Sequence, residues 1–378
     1  MEKNDILEAY REVGGRVETK GKVELKSKED FALFYTPGVG TVSTHLAEHP
    51  EEARAYSVKA NSVAVISDGS AVLGLGNIGP YGALPVMEGK ALIFKQLAGI
   101  DAWPIVLDTQ DTETIIQTVL AIAPSFGGIN LEDIAAPACF EIERRLIEKL
   151  DIPVMHDDQH GTAIVVLAGL INAAKAVGKE VKKLRVVLVG AGAAGAATAM
   201  LLNEYGIEDI VVTDRTGIIH KARPDLSGMK VELAHFTNPR NLEGTLQTAL
   251  VGADVVIGLS GGGKLTPADI ESMAERAIVF ALANPIPEIL PEDAKKGGAA
   301  VIATGRSDFP NQINNALVFP GVFRGALDAG VTNIDTAMKL RAAEALAALV
   351  EHPSTDSIVP EVLDVRVVPT IATAVSGK

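Results

Sequence analysis

Along the chain, short β-branched runs alternate with stretches whose apolar residues recur at helical spacing. Val63-Ala64-Val65-Ile66-Ser67-Asp68 and Ala102-Trp103-Pro104-Ile105-Val106-Leu107-Asp108 read as strands, and Thr112 to Ala123 as the helix that follows. Residues 1 to about 50 read as helices and a loop ending in Phe34-Tyr35-Thr36-Pro37-Gly38-Val39. Apolar residues at 164, 167, 170, 171 and 174 predict a long helix from about Thr162 to Val177. The charged stretch Lys179-Glu180-Val181-Lys182-Lys183 then leads into a second series: Leu184 to Val189, Ile210 to Val212, Ala253 to Ile257, Ala277 to Ala281 and Ala300 to Ala303. Asn333 to Val350 is an Ala-rich helical stretch, and the tail from Val359 carries a weaker pattern. Alternation of this kind predicts βαβ units: an α/β chain of two domains with parallel sheets.

Length agrees, since 378 residues suggest two or three domains. Hydrophobic residues make up 47% and charged residues 22%, enough apolar side chain for a large core and against global disorder. Aromatics are only 4%, so the core must be aliphatic, which suits strands buried on both faces. The net charge of −14 argues against a nucleic-acid partner but not against an anionic small substrate, because a site's field can differ in sign from the whole. Cys139 is the single cysteine, expected as a small buried side chain after Pro137, so no disulfide framework exists and a reducing compartment fits. The polar start Met1-Glu2-Lys3-Asn4-Asp5 lacks an apolar signal core, and no apolar run reaches membrane-spanning length. A soluble cytoplasmic protein without a membrane partner is expected.

Gly190-Ala191-Gly192-Ala193-Ala194-Gly195 is a G-x-G-x-x-G loop, a weak signal alone in an Ala/Gly-rich chain. Its context strengthens it. A strand precedes it, a helix follows to about Tyr205, and the next strand ends at Asp214, 19 residues (214 − 195) beyond Gly195. That is the order and spacing of a Rossmann-type dinucleotide site. Gly190 permits the tight turn, Gly192 lets the backbone approach a pyrophosphate, and Gly195 lets the helix pack on the strand. The helix start at Ala193 and Ala194 offers free N–H groups to phosphate. Asp214 can accept from ribose hydroxyls and would repel a 2′-phosphate, while Arg215 beside it softens that preference for NAD over NADP.

Two carboxylate pairs stand out. Glu132-Asp133 follows the strand-like Phe126 to Leu131, and Asp157-Asp158 precedes the long helix. Strand ends and helix starts share the ligand-binding rim of an α/β sheet. Together the pairs could supply hard oxygen ligands for Mg²⁺ or Mn²⁺; separately, each reads better as a helix cap or a solvated loop charge. His156 and His160 flank the second pair and read as structural or supporting groups, not as zinc ligands. Lys90 lies before an apolar stretch: beside a divalent cation its pKa would fall and it could act as a base, while without that context it is a surface lysine. Tyr35 could act as an acid or merely pack.

Taken in order over nearly the whole chain, the motifs resemble the malic enzyme family. They are Tyr35-Thr36-Pro37-Gly38-Val39-Gly40, Ser67-Asp68-Gly69 with Leu73 to Gly79, Glu88-Gly89-Lys90, Leu131-Glu132-Asp133, His156 to Ala163, Gly190 to Gly195, Ala283-Asn284-Pro285, and Asn314-Asn315 before Phe319-Pro320-Gly321. The resemblance implies oxidative decarboxylation of L-malate to pyruvate and CO₂ with reduction of NAD or NADP. It implies Glu132, Asp133 and Asp158 as metal ligands, Lys90 as base with Asp157 in the proton relay, and Tyr35 as the acid at C3. Asn284 and Asn315 would bind substrate near the nicotinamide, with Asn284 and Asn314 on the cofactor side. It further implies a substrate and metal domain over 1–156, a dinucleotide-binding domain over 157–314, a return of 315–378 to the first domain, and a homodimer or higher homo-oligomer. Larger family members carry an arginine for a malate carboxylate between the Asp-Gly pair and the Leu-Gly-Leu-Gly segment. Here that stretch is Ser70-Ala71-Val72, so the carboxylate must find the metal, Asn284, Asn315 or a backbone N–H instead. The alternatives are a malolactic-type enzyme or oxaloacetate decarboxylase on the same residues, and a silent dinucleotide-binding sensor, which retention of Tyr35, Lys90 and the acidic ligands disfavours.

Overall fold

The computed structural model describes residues 3–377; Met1 and Glu2, part of the polar start discussed above, lie outside them, as does Lys378. The first sheet has four parallel strands, β1 (Ser62–Ser67), β2 (Asp101–Val106), β3 (Gly128–Leu131) and β4 (Val154–His156), in the order β2-β1-β3-β4. The second contains β5 (Arg185–Val189), β6 (Asp209–Asp214), β7 (Gly217–Ile218), β8 (Val255–Gly258), β9 (Ile278–Ala281) and β10 (Val301–Thr304). Its order is β10-β9-β8-β5-β6-β7, parallel except for the antiparallel edge strand β7. β1, β3, β8 and β9 are buried along their whole length, as strands covered on both faces must be.

Each sheet has one point where successive connections leave in opposite directions: between β1 and β3 in the first, and between β5 and β8 in the second. Crevices at such points, beyond the carboxyl ends of the strands, are where open α/β sheets bind ligands. In both sheets the motifs singled out from the sequence follow those strand ends.

The helix Asp157–Ala176 runs through the centre of the molecule and is apolar almost all round, from Ala163 to Ala174. It begins at Asp157, five residues earlier than its apolar period suggests. His156 is extended, and the two carboxylates in the first turn oppose the positive end of the helix dipole. Helix Gly79–Ala98 was not legible in the sequence, since it carries Pro85 within it and glycines at 82 and 89. It ends at Gly99 in the left-handed conformation. The chain after residue 315 packs on both long helices. Phe319 and Phe323, in helix Phe319–Ala329, meet Phe94 edge-on at 4.7 and 5.4 Å, and helix Thr336–Ala348, capped by Asp335, lies along Asp157–Ala176.

Helices Lys3–Val13, Lys28–Phe34 and Gly38–Glu48 bury none of their residues within this chain. Leu7, Val13, Leu33 and Phe34 there are all about half exposed or more. Among the described residues, no helix is long and apolar enough to cross a membrane.

Candidate active site

The register of the first sheet assembles the acidic cluster. β3 and β4 are parallel neighbours, with Leu131 paired to His156, so the next residues along each chain, Glu132 with Asp157 and Asp133 with Asp158, emerge side by side. The Asp133 N–H donates to Asp158 Oδ2 at 2.8 Å, and the Leu73 N–H donates to Asp133 Oδ1 at 3.1 Å. Asp133 itself sits at φ +54, a conformation rare outside glycine, held by these two contacts. One oxygen each from Glu132, Asp133 and Asp158 lies within 4.8 Å of the others.

So many carboxylates cannot be buried together as ordinary anions. Burial drives Glu132 well above the usual carboxylate range, and drives Asp133 up to about 7, with Asp158 adding repulsion in both cases. Asp133 Oδ2 is buried without a hydrogen-bond partner. An all-oxygen set with an orphaned carboxylate oxygen fits a hard divalent cation such as Mg²⁺ or Mn²⁺. Asn130, at the end of β3, donates to Glu132 Oε2 at 3.1 Å and orients it.

Lys90 comes in from helix Gly79–Ala98. Its ammonium is ion-paired with Asp157, lies 3.1 Å from Glu132 Oε1, donates to Asn315 Oδ1 at 3.2 Å, and stands 4.2 Å above the Phe319 ring. Burial by itself would lower its pKa, but Asp157, Glu132 and Asp158 outweigh burial and raise it. The lowered pKa expected from the sequence is not met here: the surrounding carboxylates hold the proton on the lysine. Burial likewise raises Asp157, to about 6, against the pull of Lys90. Gly161, one helical turn after Asp157, leaves room for that carboxylate: a Cβ there would sit 1.8 Å from Asp157 Oδ1.

Behind this cluster lies a second buried group. Glu143 accepts from the His156 N–H at 2.7 Å and from Gln159 at 3.2 Å, and is 3.0 Å from His160, whose other ring nitrogen is 3.1 Å from Lys339 Nζ. Although burial opposes ionisation, His160 and Lys339 bring Glu143 down to about 2. His160 is thus engaged in supporting the helix start, as its sequence position suggested.

The dinucleotide loop has the expected shape. Gly190 turns at φ +116, and a Cβ on Gly195 would lie 2.0 Å from Gly190 O, while one on Gly192 would meet nothing within 4 Å. Helix Ala193–Tyr205 starts there. Asp214 ends β6 as anticipated, but its carboxylate is already occupied: Arg223 pairs with both oxygens at 2.9 and 3.1 Å and Lys230 approaches to 2.6 Å. Against burial, those cations hold it below the usual range. Arg223 and Lys230 were not anticipated, because nothing local in the sequence marks them.

One cleft of about 730 Å³ joins these parts. Its lining brings Leu73, Gly74, Lys90, Glu132, Asp133 and Asp158 together with Ala194, Ser260, Asn284, Gly305, Asn314 and Asn315. Asn314 also caps the next turn by accepting from the Ala316 N–H at 2.8 Å. Tyr35 is not among the lining residues: it is 58% exposed, at the end of helix Lys28–Phe34, with its ring against Phe31. The structure of a single chain therefore does not bring Tyr35 to the other expected catalytic groups. Two further groups, buried Glu288 and cleft-lining Arg16, carry no local signal in the sequence. Glu288 is fully buried and accepts from the Ser260 and Ala283 N–H groups, each at 3.1 Å, tying the loops after β8 and β9 together.

Residues 14–147 match the family model for the malic enzyme N-terminal domain, and residues 159–378 that for the malic enzyme NAD binding domain. The chain is 54% identical over 365 residues to an NAD-dependent malic enzyme of Geobacillus stearothermophilus, covering 96% of this chain and 76% of that one. It is 51% identical to a bifunctional malic/malolactic enzyme of Bacillus subtilis, over 99% of this chain and 92% of the other. A crystal structure of an NAD-dependent malic enzyme from Thermotoga maritima superposes with a TM-score of 0.95 at 50% identity, over 98% of both chains. The chain belongs to the malic enzyme family.

Proposed function

We propose that the protein catalyses the oxidative decarboxylation of L-malate to pyruvate and CO₂, reducing NAD or NADP, with Mg²⁺ or Mn²⁺ bound by Glu132, Asp133 and Asp158. The observation that carries this reading is the position of Lys90: one buried ammonium touches Asp157, Glu132 of the acidic cluster, and Asn315, in the cleft that the glycine-rich loop opens onto. When bound, the cation supplies a Lewis acid at the C2 oxygen and the nicotinamide a hydride acceptor. Lys90 takes the proton of the C2 hydroxyl and Asp157, its closest partner, shares it. Asn284 and Asn315 orient the substrate, and Asn284 and Asn314 face the cofactor. Gly190, Gly192, Ala193, Ala194 and Gly195 cradle the pyrophosphate, with Asp214 at the adenosine ribose.

In this reading residues 1–156 and 315–378 form the substrate and metal domain and 157–314 the dinucleotide domain, which the packing of Phe319 and Phe323 on Phe94 supports. The protein works as a homodimer or higher homo-oligomer in the cytoplasm. Exposed Leu7, Leu33, Phe34 and Tyr35 support assembly. Tyr35, the acid at C3, stands outside its own cleft and so serves the cleft of a second copy. Mixing inactive Tyr35→Phe and Lys90→Ala chains under subunit exchange then restores activity in the hybrids, which carry one intact site; a mixture as inactive as its parents removes Tyr35 from that role. The malolactic reading, with lactate released, is the second reading, favoured by the bifunctional Bacillus subtilis relative.

A further inference from the structure

The substrate in this reading is a dianion entering a cleft walled by carboxylates, and it needs more than one cation. Among the described residues lining the cleft, Arg16 and Lys90 are the only cationic side chains. Lys90 is committed to Asp157, Glu132 and Asn315. Asn284 and Asn315 are neutral amides, able to orient a carboxylate but not to balance its charge.

Arg16 lies in the irregular segment after helix Lys3–Val13, and its side chain is 19% exposed. Its guanidinium rests on helix Gly79–Ala98, the helix that carries Lys90. Nη2 donates to the Pro85 carbonyl, and Nη1 donates to the Tyr10 hydroxyl at 3.1 Å and would lie 3.4 Å from a Cβ on Gly89, the residue before Lys90. Nε is buried without a hydrogen-bond partner, 3.6 Å from Glu88 Oε2. Two of the five N–H donors are used, and with Nε buried against Glu88, one N–H on each of Nη1 and Nη2 is left to meet a carboxylate.

We propose that Arg16 binds one of the two substrate carboxylates, the one not seated at the metal, and so stands in this chain where Ser70-Ala71-Val72 provides no arginine. The inference rests on malate as the substrate. It makes Arg16 a substrate-binding and specificity residue that selects dicarboxylates over hydroxy monoacids lacking the carboxylate it holds.

The test is titration calorimetry on the Mn²⁺-loaded protein with L-malate, L-lactate, which lacks the distal carboxylate, and 3-hydroxypropanoate, which lacks the proximal one. In Arg16→Gln, malate binding weakens roughly ten- to a hundred-fold, as loss of a charge-assisted pair implies. The monoacid lacking the carboxylate that Arg16 holds binds as it does to wild type, and the other weakens. Glu88→Gln, which removes the ion pair but leaves the guanidinium, keeps malate affinity within about two-fold. Equal weakening of all three ligands in Arg16→Gln, or the same loss in Glu88→Gln, overturns the proposal in favour of a purely structural contact with helix Gly79–Ala98. Wild-type affinity for malate in Arg16→Gln overturns it outright. Failure of the wild-type protein to bind malate would instead strike the functional reading on which it rests.

Discussion

Replacing Gly161 with alanine sets two physical effects against each other. Gly161 lies inside helix Asp157–Ala176, where alanine ordinarily stabilises by about 1 kcal/mol over glycine. Here the added Cβ would sit 1.8 Å from Asp157 Oδ1, 2.9 Å from its Cγ and 3.2 Å from Asn315 Cβ. Contacts below 3.0 Å do not persist, so the carboxylate must move by at least 1.2 Å (3.0 − 1.8). It has no solvent to move into, since Asp157 is fully buried, and its other oxygen is the one paired with Lys90. Breaking a buried pair costs about 3–5 kcal/mol. Net of the helix gain, Gly161→Ala should lose about 2–4 kcal/mol of stability. Misplacement of a catalytic group by an ångström should lower kcat on the order of a hundred-fold. The assay is steady-state malate oxidation beside denaturant unfolding and NADH binding, the last expected to stay unchanged because the glycine-rich loop is untouched. A variant that is more stable than wild type with unchanged kcat would show that helix propensity rules at this position, and that Asp157 is not held against Lys90 by close packing.

Other perturbations probe the neighbouring groups. Asp158→Ala should abolish metal-dependent turnover, and Mn²⁺ should raise the melting temperature of the wild type but not of the variant; equal metal stabilisation of both removes Asp158 from the ligand set. Glu143 is depressed to about 2 from an ordinary value near 4.5, so its contribution to stability is present above about 4.5 and lost as pH falls through about 2. Glu143→Gln should therefore be destabilised at neutral pH, with the gap to wild type closing toward pH 2; a gap independent of pH counts against the hydrogen bond from His160 and the field of Lys339 as what holds Glu143 ionised. Glu288→Ala strands the Ser260 and Ala283 N–H groups, at about 1–3 kcal/mol each, and loosens two walls of the cleft. The KM for NAD(P) should rise several-fold while metal affinity holds; an unchanged KM would leave Glu288 as a core group only.

Much of this molecule was legible as sequence because its strands are local, β-branched and bounded by turns. β1, β2, β5, β6, β8, β9 and β10 all fall on runs that alternate with helical segments. β4 and β7 are three and two residues long, too short for a period, and are fixed by their neighbours. Helix Gly79–Ala98 was hidden by Pro85 and two glycines that only tertiary packing tolerates. The acidic site was visible as two carboxylate pairs, but their convergence depends on the β3–β4 register, a non-local fact. Arg16 and Glu288 carry no local signature: one lies in an irregular segment, the other reads as an ordinary loop acid. The pairing of Asp214 with Arg223 and Lys230 is also non-local: the spacing marks the acidic residue but not the cations that hold it. Tyr35 shows the converse case, a motif residue whose place in its own chain is outside the cleft.

The central claim is tested most directly by following NAD(P)H formation from L-malate with Mn²⁺ by near-ultraviolet absorbance, with NAD and NADP in parallel, and repeating the assay after EDTA while measuring pyruvate. The account predicts reduction that EDTA abolishes, with one pyruvate for each cofactor reduced. Lactate without net NAD(P)H would point to the malolactic reading, and neither product, with the dinucleotide still bound, would contradict the assignment of malate as substrate.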